Sequence, residues 1–319
     1  MFARRSWLPK LSLSWDTAPT TALSIIGRGA YATVYLADGQ ALKRIDLHRA
    51  KRKDLLEREL ALHQQLQHEH IVQLYAYEWH PDALDLYLEL CDSDLARLLQ
   101  GPPLPLQQVR QLFGEACAAL HYLHSKSIVH RDLKPANILL KEGRVKLSDF
   151  GLSRELDALC ETMCGSPLYM APEILRRQPY SANSDLWSLG CVLYEMLLKR
   201  PPYQASNIAA LVVAHESCAD LGAVPDECRS LVGQLLERNS AERCGWPTLL
   251  CHPWTSECQC SASQDLSSAV IEDYSNSQLV PVMMAPPPTR WQKLWVSCQD
   301  CVEMVKDARG KEAKPRVTQ

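Results

Sequence analysis

The chain has 319 residues, of which 46% are hydrophobic and 22% charged, and its formal net charge is −3. This length is enough to bury a sizeable core and predicts more than one domain's worth of structure. The charges form no basic stripe and no apolar run has the length of a membrane span, so neither nucleic acid nor a bilayer is expected as a partner.

Residues 1–20 carry Arg4, Arg5 and Lys10 among serines. This composition is faintly similar to that of an organelle transit peptide, but Pro9 interrupts any helix there. We therefore predict a flexible or docking leader rather than an import signal.

A glycine-containing segment follows at 26–34. Its residues are Ile26, Gly27, Arg28, Gly29, Ala30, Tyr31, Ala32, Thr33 and Val34. Two positions without a Cβ allow a backbone to approach a ligand closely, although an ordinary hairpin turn would also use glycine. Next, Asp38-Gly39 is a strong two-residue hairpin signal, which predicts a further strand that contains Ala41 and Lys43.

A helix is predicted roughly from Ala50 to Gln67. Leucines recur near the helical period at Leu55, Leu56, Leu60, Leu62 and Leu66. Glu57 and Glu59 are two residues apart, so only one of them can point inward. His63 lies among the leucines, where a buried neutral histidine with one partner is favoured over a pH-sensitive contact.

Three short stretches carry the residue types that phosphoryl transfer needs, in the required order. They are His130-Arg131-Asp132 with Asn137 five places later, Asp149-Phe150-Gly151, and Ala171-Pro172-Glu173. Carboxylate and amide oxygens suit a hard cation, and a carboxylate can accept a hydroxyl proton. With these motifs the chain resembles the eukaryotic protein kinase family over about Leu23 to Trp254.

The resemblance implies an α+β, bilobal protein kinase fold with ATP in the cleft between the lobes. The kinase domain would span 21–254. Its small β-rich N-lobe, with one regulatory helix, would occupy about 21–88, the hinge about 89–94, and the larger, mainly helical C-lobe about 95–254.

The resemblance also implies the catalytic roles. Asp132 would accept the proton of the substrate hydroxyl, Lys134 would contact the transferring phosphate, and Asn137 and Asp149 would hold Mg²⁺. Lys134 and Ser166 are typical of the serine/threonine branch. The expected reaction is transfer of the γ-phosphate of ATP to serine or threonine hydroxyls of protein substrates.

The nucleotide contacts are likewise implied. The segment 26–34 would cover the phosphates of ATP, with Ala32 in place of a third glycine, and Lys43 would pair with the phosphates and with Glu59. The ATP-binding residues outside that segment are Ala41, Lys43, Glu59, Glu89, Cys91 and Asp94. For Asp94, a contact to the ribose and a helix N-cap are equal alternatives.

Further positions follow from the same resemblance. Thr162 lies at the family's phosphosite, where Arg131 and Arg154 would pair with a phosphate and order the loop. Glu173 and Arg243 are spaced as a buried ion pair.

Asp185 resembles the residue that anchors the backbone of the catalytic loop. Like the ion pair, it is expected to act on structure rather than on the chemistry.

A pseudokinase scaffold is the alternative from another class, but Lys43, Glu59, Asp132, Asn137 and Asp149 are all intact. Dual specificity is a third alternative. The subfamily stays open, because the run from Cys164 to Glu173 is similar to autophagy-initiating kinases, whereas His63 and the hinge are similar to Polo-type kinases.

The tail divides into a linker at 255–289, an amphipathic helix at 290–311 and a disordered end at 312–319. The helix would dock on the kinase domain itself or on a regulatory protein. Zinc binding by tail cysteines is disfavoured, because their spacing is poor for it.

Thirteen cysteines, an odd number without a secretory signal, suit reduced thiols better than a disulfide framework. We therefore expect the protein in the cytoplasm or the nucleus.

Overall fold

The computed structural model describes residues 24–50, 53–149, 166–178 and 181–259. These residues form two units: the first contains 24–50 and 74–90, and the second contains 53–73 and the described residues from 91 onward. In the described ranges no helix combines the length and the apolar character needed to cross a membrane. The predicted leader at 1–20, the tail helix at 290–311 and the end at 312–319 lie outside the described residues.

The first unit is an antiparallel sheet with the strand order β1-β2-β3-β5-β4. Its strands are β1 (Ser24–Arg28), β2 (Ala32–Ala37), β3 (Gln40–Asp46), β4 (Leu74–Trp79) and β5 (Ala83–Leu88). The predicted hairpin turn is confirmed, because Asp38 and Gly39 have φ values of 47° and 78°, as a type I′ turn requires. This turn places Ala37 opposite Gln40 and fixes the register of β3.

The second unit combines a small sheet with most of the helices. The sheet has the order β6-β7-β8. Its strands are β6 (Ser93–Asp94), β7 (Ile138–Lys141) and β8 (Arg144–Leu147). The helices are α1 (Lys53–His63), α2 (Leu95–Leu98), α3 (Leu106–Ser125), α4 (Pro172–Leu175), α5 (Asn183–Leu198), α6 (Ile208–Ala214), α7 (Asp226–Leu235), α8 (Trp246–Cys251) and α9 (Pro253–Gln259).

Helix α5 lies at the centre of the second unit. Its large side chains Trp187 and Tyr194 are completely buried, as is Phe113 of α3. A helix that is apolar on nearly all sides must be enclosed by other elements, and α5 packs against both α3 and α7. Leu133, in the loop that precedes β7, belongs to the same buried core as Trp187 and Tyr194.

Helix α1 is shorter than the predicted span of 50–67. It ends at His63, whose half-buried ring has Nε2 2.8 Å from the carbonyl oxygen of Val72. The chain then turns and attaches to β8, because the Val72 amide donates to the Leu147 carbonyl at 3.0 Å. The contact between His63 and Val72 thus ends the helix, although the leucine pattern continues to Leu66. The geometry fits the prediction that His63 is a structural histidine with one partner.

The predicted linker begins too early. Helix α9 continues to Gln259, although the prediction placed a linker from 255. Thr255 is buried, and its hydroxyl donates to the Leu249 carbonyl at 2.6 Å. Composition alone did not reveal this packing, because the residues after Trp254 are mostly polar.

Candidate active site

The Asp132 carboxylate is held by two neighbours in the loop before β7. Lys134 Nζ donates to Asp132 Oδ2 at 2.9 Å, and Asn137 Nδ2 donates to the same oxygen at 2.9 Å. Asn137 Nδ2 also donates to the Asp132 carbonyl at 2.8 Å. The predicted catalytic residues Asp132, Lys134 and Asn137 are thus brought together, and the orientation of the carboxylate is fixed.

Asp185 anchors the backbone of this loop from helix α5, as predicted. Its Oδ2 accepts from the His130 amide at 2.7 Å, and its Oδ1 accepts from the Arg131 amide at 2.9 Å. Arg131 has φ 68°, a left-handed conformation that a residue with a Cβ adopts only when its surroundings impose it. Burial alone would raise the pKa of the Asp185 carboxyl group, but hydrogen bonds from His124 and the Arg131 amide hold that pKa below its usual value.

His130 connects the loop to the residue before Asp149. Its Nδ1 accepts from the Asp132 amide at 3.3 Å, so the ring proton is on Nε2, which donates to the Ser148 carbonyl at 3.1 Å. The ring is completely buried, and this burial lowers the pKa of His130, which favours the neutral form. One neutral histidine therefore joins the backbone of Asp132 to Ser148, the residue before Asp149.

The predicted metal ligands lie on adjoining segments. Asn137 accepts at its backbone carbonyl from the Ser148 amide at 3.0 Å and from the Ser148 hydroxyl at 3.1 Å. Since the Asn137 amide nitrogen faces Asp132, its Oδ1 is the atom suited to a cation. Asp149 follows Ser148 directly, is exposed and has φ 55°.

This donor set fits Mg²⁺ better than a softer metal. Within the described ranges, no group of three or more His, Cys, Asp or Glu side chains is placed to hold a metal ion. One amide and one carboxylate oxygen are typical of Mg²⁺, which takes its other ligands from phosphates and water.

The glycine segment and Lys43 lie in the sheet of the first unit. Lys43 is on the central strand β3, opposite Val34 on one side and Leu86 on the other. A Cβ on Gly27 would lie 3.6 Å from Val34, and one on Gly29 would lie 3.5 Å from the Ala32 carbonyl, both ordinary contacts. A Cβ would therefore fit at both positions, and the close approach of a ligand to these glycines stays a prediction.

Other predicted positions have separate outcomes. Asp94 is the N-cap of helix α2, because its Oδ1 accepts from the Arg97 amide at 2.8 Å. The N-cap was one of the two predicted alternatives for this residue. Glu59 is half-buried on α1 in the second unit and Lys43 belongs to the first, so their pairing stays a prediction. Thr162 and Arg154 lie outside the described residues, as does Phe150-Gly151.

The predicted buried ion pair is confirmed. Arg243 Nη1 donates to Glu173 Oε1 at 2.8 Å and Arg243 Nη2 donates to Oε2 at 3.0 Å, with both residues buried. Burial would raise the pKa of Glu173, but the Arg243 guanidinium lowers it below its usual value. The pair fastens α4 to the chain before α8.

Two residues behind Asp185 were not predicted from the sequence. His124 Nε2 lies 2.8 Å from Asp185 Oδ2, and Trp246 Nε1 donates to His124 Nδ1 at 2.9 Å. Trp246 and His124 are far apart in the chain, and neither belongs to a recognised motif. Only the packing of α8 against α3 makes them neighbours.

Comparison with known proteins places this geometry in a family. The model of the protein kinase domain matches residues 20–255. Among solved structures, the chain is similar to Rad53 1-466 in complex with AMP-PNP, with a TM-score of 0.63 and 29% identity over 73% of this chain and 64% of that chain. The α+β kinase fold is therefore shown for this chain.

Three curated relatives are named serine/threonine-protein kinases. They are fused of Drosophila melanogaster, 38% identical over 72% of this chain and 31% of the relative; ULK3 of Mus musculus, 35% identical over 76% and 56%; and ULK1 of Homo sapiens, 35% identical over 72% and 24%. The matched region thus covers between about a quarter and just over half of these relatives. The ULK relatives are consistent with the resemblance of the run from Cys164 to Glu173 to autophagy-initiating kinases.

Proposed function

Because the chain belongs to the protein kinase family, we propose that it transfers the γ-phosphate of ATP to serine and threonine hydroxyls of protein substrates. The observation that carries this proposal is the Asp132 carboxylate, held by Lys134 and Asn137 in a loop that Asp185 anchors. Phosphoryl transfer is catalysed mainly by positioning and charge, so a preset carboxylate at this place has a direct use.

Each residue has a definite task in this reaction. Asp132 orients the substrate hydroxyl and accepts its proton as the oxygen attacks phosphorus. Lys134, 2.9 Å from Asp132, places a positive charge beside the path of the transferred phosphate. Asn137 and Asp149 would hold Mg²⁺, which when bound neutralises phosphate charge.

The glycines of the first unit support nucleotide binding. At Gly27 and Gly29 a Cβ would meet only ordinary contacts, so the absence of side chains serves a molecule that needs the backbone amides. The similarity to a structure with AMP-PNP supports the same choice of ligand.

The decisive experiment measures transfer from labelled ATP to a generic protein acceptor in magnesium buffer, followed by phosphoamino-acid analysis. Asp132→Asn should reduce kcat at least about 100-fold, because it removes the proton acceptor but keeps the shape. Asp226→Asn is the matched control, since that side chain is 87% exposed. It should leave kcat unchanged.

Two results would contradict the proposal in different ways. Wild-type activity no higher than that of Asp132→Asn, in a protein that binds Mg-ATP saturably, would favour the pseudokinase scaffold. Phosphotyrosine beside phosphoserine and phosphothreonine would favour dual specificity.

We propose further that phosphorylation of Thr162 activates the enzyme. The support is the position of Thr162 in the sequence and the guanidinium groups of Arg131 and Arg154, which suit a phosphate. Thr162→Ala should lower kcat, and mass spectrometry should find the phosphate in active protein. Full activity of Thr162→Ala would overturn this proposal without affecting the first.

An intracellular location is also proposed. The cysteines that the structure describes as free include Cys191, Cys218, Cys228, Cys244 and Cys251. Unpaired thiols in this number suit the reducing cytoplasm or nucleus. Fluorescence microscopy of a tagged chain tests the location, and a secreted protein would contradict it.

A further inference from the structure

A groove on the second unit is lined mainly by leucine and proline side chains. Its walls include Leu98 of α2, the loop 101–105 and Gln108 of α3, and its volume is about 380 Å³. The loop has the sequence Gly-Pro-Pro-Leu-Pro, so we call this feature the proline groove. Among the described residues that line it, no polar side chain is buried, so the groove suits an apolar partner better than a polar small molecule.

One wall of the proline groove is held in place before any partner binds. Three of its residues, Pro102, Pro103 and Pro105, are exposed prolines, and the ring of a proline fixes its φ angle. The Pro102 carbonyl also accepts from Lys199 Nζ at 3.1 Å, which ties the loop to the end of α5. Because a rigid wall loses little conformational freedom on binding, docking in this groove has a low entropic cost.

The last described helix packs on the same helix that bounds the groove. Trp254 of α9 lies on α3, with its ring centroid 5.6 Å from that of Phe113 and 5.4 Å from the Arg110 guanidinium. Gln108, which lines the groove, precedes Arg110 by two residues on α3. Residues 260–319 therefore continue from a helix that packs on the groove-bearing half of α3.

The tail helix predicted at 290–311 is within reach of the proline groove. Since α9 extends to Gln259, the predicted linker before the tail helix has about 30 residues, and a linker of that length spans about 30 Å on average. Tethering over such a distance gives an effective concentration in the millimolar range. The tail therefore has an advantage over a second copy of the chain or another protein as the occupant of the groove.

The predicted tail helix also carries side chains that suit this groove. Trp291 and Trp295 are four residues apart, so a helix places them on one face, together with Leu294. Tryptophan is enriched among the residues that anchor interfaces, and aromatic rings pack well against proline. We propose that residues 290–311 dock in the proline groove of the same chain, with Trp291 and Trp295 as the anchors.

Photo-crosslinking of the full chain tests this docking. Trp295 is replaced by p-benzoylphenylalanine, an aromatic residue that bonds to its neighbours on illumination, and mass spectrometry locates the bonds. We expect most crosslinks to fall in residues 97–108 of the same chain. An equal mixture of ¹⁵N-labelled and unlabelled protein distinguishes bonds within a chain from bonds between chains.

The same replacement at Val296 is the control within the tail. Val296 lies on another face of the predicted helix, so it should give at least about fivefold fewer crosslinks to residues 97–108. Crosslinks from position 295 that fall mainly elsewhere in the chain, or mainly between chains, would overturn the proposal. A yield from position 295 no higher than that from Val296 would also overturn it.

A matched pair of substitutions tests the groove itself. Pro103→Glu should lower the crosslinks from position 295 at least about fivefold, because docking would bury the new charge. Gln107→Glu adds the same charge at an exposed residue of α3 that does not line the groove. It should change the yield less than about twofold, and equal yields in the two variants would contradict docking in this groove.

Trp291→Ala guards against a folding defect in Pro103→Glu, because it leaves all described residues unchanged. Loss of this anchor should also lower the crosslinks from position 295 at least about fivefold. An unchanged yield would count against the proposal. None of these measurements uses transferase activity, so the proposed function and the docking of the tail are tested separately.

Discussion

His215 is a buried histidine in the second unit that lacks the support given to His124 and His130. It is 1% exposed, and neither of its ring nitrogens has a hydrogen-bond partner among the residues described. Its ring packs against Trp187 and Tyr203, with centroids 5.1 Å and 4.5 Å away. Burial, assisted by the charge of Arg176, lowers the pKa of His215 to about 4.

This low pKa predicts a loss of stability in mild acid. Between pH 6.5 and 4 the unfolded chain binds a proton at His215 that the folded chain does not, so the free energy of unfolding falls as pH falls. From pH 7.5 to 5.0 the contribution of His215 is about 2 kcal/mol. Urea unfolding of wild type and His215→Phe at both pH values measures it.

His215→Phe is suited to this comparison because phenylalanine keeps the aromatic contacts and cannot titrate. The loss of stability between the two pH values should be about 2 kcal/mol smaller in the variant. Other groups, such as His130, contribute equally to both proteins and cancel. Equal losses in the two proteins would show that His215 takes up its proton over the same pH range in the folded and unfolded chains, which would contradict the prediction.

At the scale of elements, the packing of α5 on α7 depends on one glycine. A Cβ on Gly190 would lie 2.7 Å from Leu235 Cβ, a distance that real Cβ atoms essentially never show. The Cβ of Leu235 is bonded directly to the backbone of α7, so it cannot move unless α7 moves. Gly190→Ala should therefore lower the free energy of unfolding by about 1–3 kcal/mol, which urea unfolding measures.

Gly233→Ala provides the matched control, because Gly233 is in the partner helix α7. A Cβ there would lie 3.3 Å from Leu221 Cδ1, the end of a flexible side chain. Alanine also favours the helix by about 1 kcal/mol. The free energy of unfolding of Gly233→Ala should therefore stay the same or rise. If it fell as much as in Gly190→Ala, close packing of α5 on α7 could not explain the effect of Gly190→Ala.

Elements that depend on interactions between neighbouring residues were predictable from the sequence. Elements whose ends depend on contacts with residues far away in the chain were not. The Asp38-Gly39 turn depends on two adjacent residues, so it was predicted correctly. The end of α1 at His63 depends on Val72 and on β8, which no local pattern reveals. For the same reason Asp185 was recognised within its motif, whereas Trp246 was not.

For the whole molecule, helix α9, the last element that the structure describes, belongs to the core of the second unit. Trp254 is 2% exposed, packs on Phe113 with centroids 5.6 Å apart, and lies 5.4 Å from the Arg110 guanidinium. Thr255 and Leu249 join α9 to α8 by a buried hydrogen bond. Helix α9 is therefore part of the core of this unit rather than the start of a linker.

Two shortened chains test this boundary, one ending at Gln259 and the other at His252. The shorter chain loses the buried ring of Trp254, and its free energy of unfolding should be about 3–5 kcal/mol lower, as for loss of a large core side chain. Both chains lack residues 260–319, so the comparison does not depend on where the tail docks. Thermal and urea unfolding measure the difference, and Trp254→Ala in the longer chain should reproduce most of it. Equal stability of the two shortened chains would place the end of the folded unit before α9.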